Sequence, residues 1–105
     1  MKIIRNKYLP FRGFRAVNLF NLLLVRKEAH IDETLINHEK IHTAQMLELG
    51  FVFFYPLYMI EWLIRLIINR KWAYFRISFE REAYENQDNP GYLKQRKPYS
   101  FIKYL

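Results

Sequence analysis

The chain contains no cysteine. Disulfides and cysteine-ligated metal sites are thereby excluded. Low-complexity runs, internal repeats and long interior linkers are also missing, so the 105 residues read as a single domain, 1–105. Met1 to Lys7 lacks the apolar stretch and cleavage site of a signal peptide, so ordinary export is not expected, and the cytoplasm or the periphery of a membrane is. The uncharged stretch 49–60 falls short of the roughly 20 residues that a membrane span needs. No recognisable nucleic-acid module accompanies the basic residues, and nucleic acid is not an expected partner.

Apolar residues are plentiful. They make up 51% of the chain, with 18% aromatic, ample for one core and enough to leave some apolar surface exposed. The net charge is +7 and the isoelectric point about 9.8. That balance suits an anionic membrane surface, a nucleic acid or an acidic partner. The cations are dispersed from Lys2 to Lys103 without a compact cluster.

The most informative stretch is His38-Glu39-Lys40-Ile41-His42, which reads H-E-x-x-H. Residues four apart lie one turn above each other on a helix, so His38 and His42 can grip one metal ion. Glu39 is then placed to act as general base on a water whose pKa zinc lowers to about 7. The surroundings predict a helix over roughly 32–50. Asp32 can cap it, Glu33 favours its N-terminal end, and Gly50 can stop it. Leu35, Ile36, Ile41, Met46, Leu47 and Leu49 supply its apolar positions. Without a metal the two histidines are surface or hydrogen-bonded core residues and Glu39 a solvated charge.

A metal site needs a third protein ligand. The segment from Ser78 to Gln87 has no glycine or proline and predicts a second helix. Glu80, Ala83, Tyr84 and Gln87 share one side of it. Glu82 falls toward another, with Phe75, Phe79 and Asn86. With Glu80-Arg81-Glu82-Ala83-Tyr84 following H-E-x-x-H, the chain resembles the gluzincin branch of the zinc metallopeptidases, in its minimal single-domain form. That resemblance implies Zn²⁺ as cofactor, His38, His42 and Glu80 as its ligands, and Glu39 as the catalytic base. Glu82 is the alternative third ligand. Tyr84 stands where the family carries an acid that orients a ligand histidine. Glu82, Glu85 or a backbone carbonyl would take that role instead.

The expected fold class is α+β. It is a small zincin-like domain in which short N-terminal strands or a hairpin precede the H-E-x-x-H helix, an apolar helix and the Glu-bearing helix. Residues 1–9 predict a strand, and Pro10-Phe11-Arg12-Gly13 a turn. A strand is expected near residues 20–27, with a short helix over roughly 16–24 as the alternative. Zincins place an edge strand beside the active-site helix to pair with extended substrate, and residues 20–27 could serve as one. A second helix over roughly 56–70, opened by Pro56, is expected to bury itself against the first, with Glu61 and Arg65 paired. Its aromatic and basic surroundings also suit a membrane surface. Asn89-Pro90-Gly91 predicts a turn that ends the Glu80 helix. The tail from Tyr92 to Leu105 could pack back on the domain or lie across the cleft.

The function these residues point to is zinc-dependent hydrolysis of peptide bonds in a peptide or protein substrate. Tyr74, Tyr84, His30 and Arg76 are candidate oxyanion donors. The alternatives are a non-catalytic zinc-binding protein associated with a membrane, and a basic helical domain with incidental histidines.

Overall fold

A computed structural model describes residues 2–7 and 15–105. Strands β1 (Lys2–Asn6), β2 (Ala16–Leu19) and β3 (Leu22–Arg26) form a three-stranded mixed sheet in the order β1-β3-β2. β2 and β3 make an antiparallel hairpin, and β1 runs parallel to β3 with Lys2 opposite Leu22. The hairpin turns on Phe20 and Asn21, both at positive φ (53° and 68°). Two such residues in a row give the turn whose twist matches that of the flanking strands. The expected turn at Pro10 to Gly13, and Tyr8 and Leu9 of the first strand, lie outside the described residues.

The segment near 20–27 is a strand, but it is the central one. Leu23 and Val25 are completely buried, and β3 is paired along both sides. It therefore has no edge to offer a substrate. The edge on the helical side is β2, and the helix considered over 16–24 does not form, because those residues make the hairpin.

Helix α1 (Glu33–Glu48) carries the H-E-x-x-H stretch. Asp32 caps it, its Oδ1 accepting from the Leu35 amide at 2.8 Å. Gly50 follows its end at φ +68°, a conformation glycine adopts with little strain. One face of α1 buries Leu35, Ile41 and Met46, and the helix packs against β2 and a later helix over Ser78–Asn86.

Helix α2 (Phe54–Asn69) holds Pro56 in its first turn, where a missing N–H costs no intrahelical bond. It is not buried against α1 as its composition suggested. Only Phe54 is fully buried. Phe54, Tyr58 and Trp62, four residues apart, form the stripe that meets the core, and Phe54 and Tyr58 lie 4.9 and 6.1 Å from the Phe79 ring. Tyr55 packs beside them, whereas Ile60, Leu63, Ile64, Leu66, Ile67 and Ile68 are exposed, because no further layer among the described residues covers them. Nor do Glu61 and Arg65 pair. Glu61 accepts from the Ser78 amide at 2.5 Å and from its hydroxyl at 2.7 Å, while Arg65 reaches Asn69.

A 3₁₀ turn (Arg70–Trp72) and the short helix α3 (Ala73–Arg76) lead to α4 (Ser78–Asn86). The Glu61 carboxylate thus sits at the N-terminus of α4, satisfying a donor that the helix leaves open. Asn89 and Gly91 make the turn that follows, the Gly91 amide donating to Asn89 Oδ1 at 3.1 Å. Helix α5 (Tyr92–Gln95) and a final 3₁₀ turn (Ser100–Tyr104) close the chain.

Met46, Phe54, Ile77, Phe79 and Phe101 form the core between α1, α2, α4 and the tail. The tail packs back through Phe101, whose ring lies 4.6 Å from Phe79, and through Arg96. The radius of gyration is 13.5 Å, near the about 13 Å of a compact domain this long. No described helix is long and apolar enough to cross a membrane.

Candidate metal centre

His38 and His42 emerge one turn apart from the same face of α1, and Glu80 meets them from the first turn of α4. All three are buried, at 5%, 5% and 4% exposure. The Nε2 atoms of the two histidines lie 3.1 Å apart. Glu80 Oε1 lies 3.2 Å from His38 Nε2 and 3.1 Å from His42 Nε2. A tetrahedral zinc ion with bonds of about 2.0–2.1 Å keeps its ligand atoms about 3.3 Å apart. The triangle therefore has the size of one face of such a site. Among the described residues this is the one group of three that could hold a metal ion.

The other ring nitrogens decide which way the lone pairs point. His42 Nδ1 lies 2.8 Å from Gln45 Oε1. The Gln45 amide nitrogen donates to the Phe79 carbonyl at 3.0 Å and to Glu82 Oε1 at 2.9 Å. Both of those partners only accept, so the amide cannot be reversed, and its oxygen receives the His42 Nδ1–H. His38 Nδ1 is likewise 2.8 Å from Gln87 Oε1. In the neutral imidazole His42 Nε2 is then bare, and His38 Nε2 is bare in the tautomer that donates from Nδ1 to Gln87. Two lone pairs and a carboxylate oxygen converge on one point, an arrangement that calls for a cation or an added proton.

Burial opposes charge on His42, but the adjacent Glu80 carboxylate outweighs it and raises the group to about 9. Burial likewise disfavours the Glu80 anion, yet His42 and His38 hold that carboxyl well below the usual range. The second Glu80 oxygen accepts from the Tyr58 hydroxyl at 2.6 Å, leaving Oε1 to face the histidines. Burial, then Glu80, pushes the Tyr58 hydroxyl well above its ordinary value, so it stays a donor.

Glu39 is 6% exposed. Its carboxyl is raised by burial, against the opposing pull of His42 and His38. It lines a cleft of about 320 Å³ together with His42 and Glu80. β2 forms one wall of that cleft, and Tyr55, Tyr58, Met59 and Trp62 of α2 form the other. Asn18 of β2 is tied to α1, its amide donating to the Glu39 carbonyl at 3.0 Å and to Thr43 Oγ1 at 2.8 Å.

Glu82 points away from the histidines. Its carboxylate, completely buried, takes Arg96, Tyr92 and Gln45. It reaches the site only through Gln45, and neither it nor Glu85 accepts from a ring nitrogen. The glutamines do so instead. Tyr84 lies edge-on to His38 with ring centres 4.5 Å apart. Of the four candidate oxyanion donors, Tyr74 lines the cleft. Tyr84 and Arg76 line a separate groove, and His30 is exposed elsewhere. No residue of the tail lines the cleft, so the tail does not lie across it.

Sequence reasoning missed Gln45, Tyr58 and Asn18. Gln45 carries a usable signal, since it follows His42 by three residues and shares its face. Tyr58 and Asn18 come from elements whose docking only the tertiary fold reveals.

The fold and site define a small α+β domain with a buried His–His–Glu cluster of metal-binding size. Comparison with protein-family models, with curated proteins and with solved structures finds no match to the chain.

Proposed function

We propose that the protein is a minimal zincin of gluzincin type, a zinc-dependent metallopeptidase. The observation that carries this reading is the convergence of His38 Nε2, His42 Nε2 and Glu80 Oε1 within 3.2 Å, with both Nδ1 atoms committed to glutamine carbonyls. A His/His/carboxylate donor set favours zinc over hard cations such as magnesium or calcium. Zinc, when bound, supplies Lewis acidity and an acidified water.

The chain's own residues supply the rest. Glu39, beside His42 and Glu80 in the cleft, takes a proton from the attacking water. Its raised carboxyl suits a base that must later donate to the leaving amine. Of the candidate oxyanion donors Tyr74 is the one that lines the cleft, and its hydroxyl, hydrogen-bonded to Tyr84, would have to turn from that partner to reach the developing charge. β2, whose one sheet partner among the described residues is β3, replaces residues 20–27 as the strand for an extended substrate.

The test is metal content followed by turnover. Wild type purified without a histidine tag should carry near-stoichiometric zinc and cleave peptides. Glu80→Ala should lose the metal. Glu39→Gln should keep it and lose turnover. Glu39→Gln with full activity would remove the mechanism, and wild type that takes up no zinc would remove the site.

A further inference from the structure

The outer surface of α2 is nearly pure hydrocarbon. Ile60, Leu63, Ile64, Ile67 and Ile68 are 50–82% exposed. Of the two charges on the helix, Glu61 is turned inward to Ser78, and Arg65 is half-buried and reaches Asn69 one turn on along the same helix. The apolar face continues into Val52 and Phe53 at one end and Trp72 at the other, all more than half exposed. So large a contiguous patch on a small domain marks an interaction surface.

The charges beside it identify the occupant. Arg70, Lys71 and Arg76 follow the helix and are exposed, and among the described residues none of the three has an ion-pair partner. Lys71 Nζ sits 5.4 Å from the centre of the Trp72 ring. A tryptophan beside cations at the end of an apolar face matches the boundary between acyl chains and headgroups. A second copy of the chain would bring another +7 against these cations, whereas anionic headgroups neutralise them. The 16 residues of α2 span about 24 Å, too short to cross a hydrocarbon core of about 30 Å, so the helix would lie flat.

We propose that the exposed face of α2, with Arg70, Lys71 and Trp72 at its end, docks on an anionic lipid bilayer. Tyr58, Met59 and Trp62 of the same helix line the cleft, so docking holds the cleft beside the membrane surface.

Flotation of the full chain with phosphatidylcholine vesicles, with and without phosphatidylglycerol, tests this. Wild type should float with the anionic vesicles and be released by salt. Leu63→Asp with Ile67→Asp should weaken binding more than tenfold. Arg70→Gln and Lys71→Gln should each weaken it about fivefold. Circular dichroism of each variant checks the fold, and the two charge variants leave the helix face untouched. Wild type that stays with the unbound fraction would overturn the proposal. So would a stable wild-type dimer that the double variant dissociates, since a second copy would then cover the face. Equal binding to neutral vesicles, unchanged in the charge variants, would overturn the requirement for anionic lipid.

Discussion

Gln45 and His42 are joined in a single orientation. The Gln45 carbonyl oxygen receives the His42 Nδ1–H at 2.8 Å, while the amide nitrogen of the same side chain is held by the Phe79 carbonyl and Glu82. The buried Glu82 thereby fixes the histidine tautomer without touching the histidine. A neutral amide is the intermediary, and behind it stand Arg96 and Tyr92.

Removing that amide should weaken the site while sparing every ligand. Gln45→Leu leaves His42 free to rotate and to change tautomer. Partners of this kind are worth about 10–100-fold in metal affinity. Competition with a chromophoric zinc chelator should show a loss in that range for Gln45→Leu. An unchanged affinity would mean that packing alone orients His42.

How much of this was legible in the sequence depended on distance along the chain. The Asp32 cap, the Gly50 stop and the shared face of His38 and His42 are local, and local rules reach them. The same periodicity separated Glu80 from Glu82, and the structure keeps Tyr84 and Gln87 on the Glu80 side, against His38. Strand order was not legible. It rests on a tight turn formed by Phe20 and Asn21, neither a glycine, and on a parallel partner from the start of the chain. The burial of α2 is not legible from its composition, because hydrophobicity states what a helix can cover, not whether another layer exists to cover it. The glutamines went unassigned because a neutral amide leaves no charge pattern to follow.

The Arg96 guanidinium ties the tail to the domain. It is bound to Glu82 at 2.6 Å and to Glu48 at 2.8 Å, with only 5% of its side chain exposed. Breaking a buried pair from one side costs about 3–5 kcal/mol, because the remaining charge is stranded. Arg96→Met should lower the unfolding free energy by about that amount in a urea titration. Cutting the chain after Tyr92 removes Arg96 and Phe101 together and should destabilise the protein rather than release activity.

Asn18 ties β2 to α1 through the Glu39 carbonyl and Thr43. Asn18→Ala should leave zinc content intact, since no cluster residue is touched. If β2 pairs with extended substrate, KM should rise about tenfold with kcat less affected, the pattern of lost uniform binding. Equal losses in kcat and kcat/KM would instead assign Asn18 to the positioning of Glu39.

If zinc occupies the proposed site, it competes with protons for the same lone pairs, and stability then depends on pH with opposite sign with and without metal. In the metal-free protein the His42 group is raised from 6.5 to about 9. A raised histidine stabilises the fold fully below its unfolded value and loses that contribution as pH climbs through the folded one. Glu80, lowered from 4.5, stabilises above its unfolded value and loses that contribution on acidification. The metal-free protein should therefore be most stable between about 4.5 and 6.5 as far as this pair is concerned, and its Tm should fall toward pH 9. Zinc requires the unprotonated ring, so its affinity should climb over the same interval. Melting curves with zinc and with a chelator, taken from pH 6 to pH 9 (roughly the span between the two histidine values), should diverge steadily as pH rises. Parallel curves would show that His42 neither holds a proton in the metal-free protein nor gives one up to zinc.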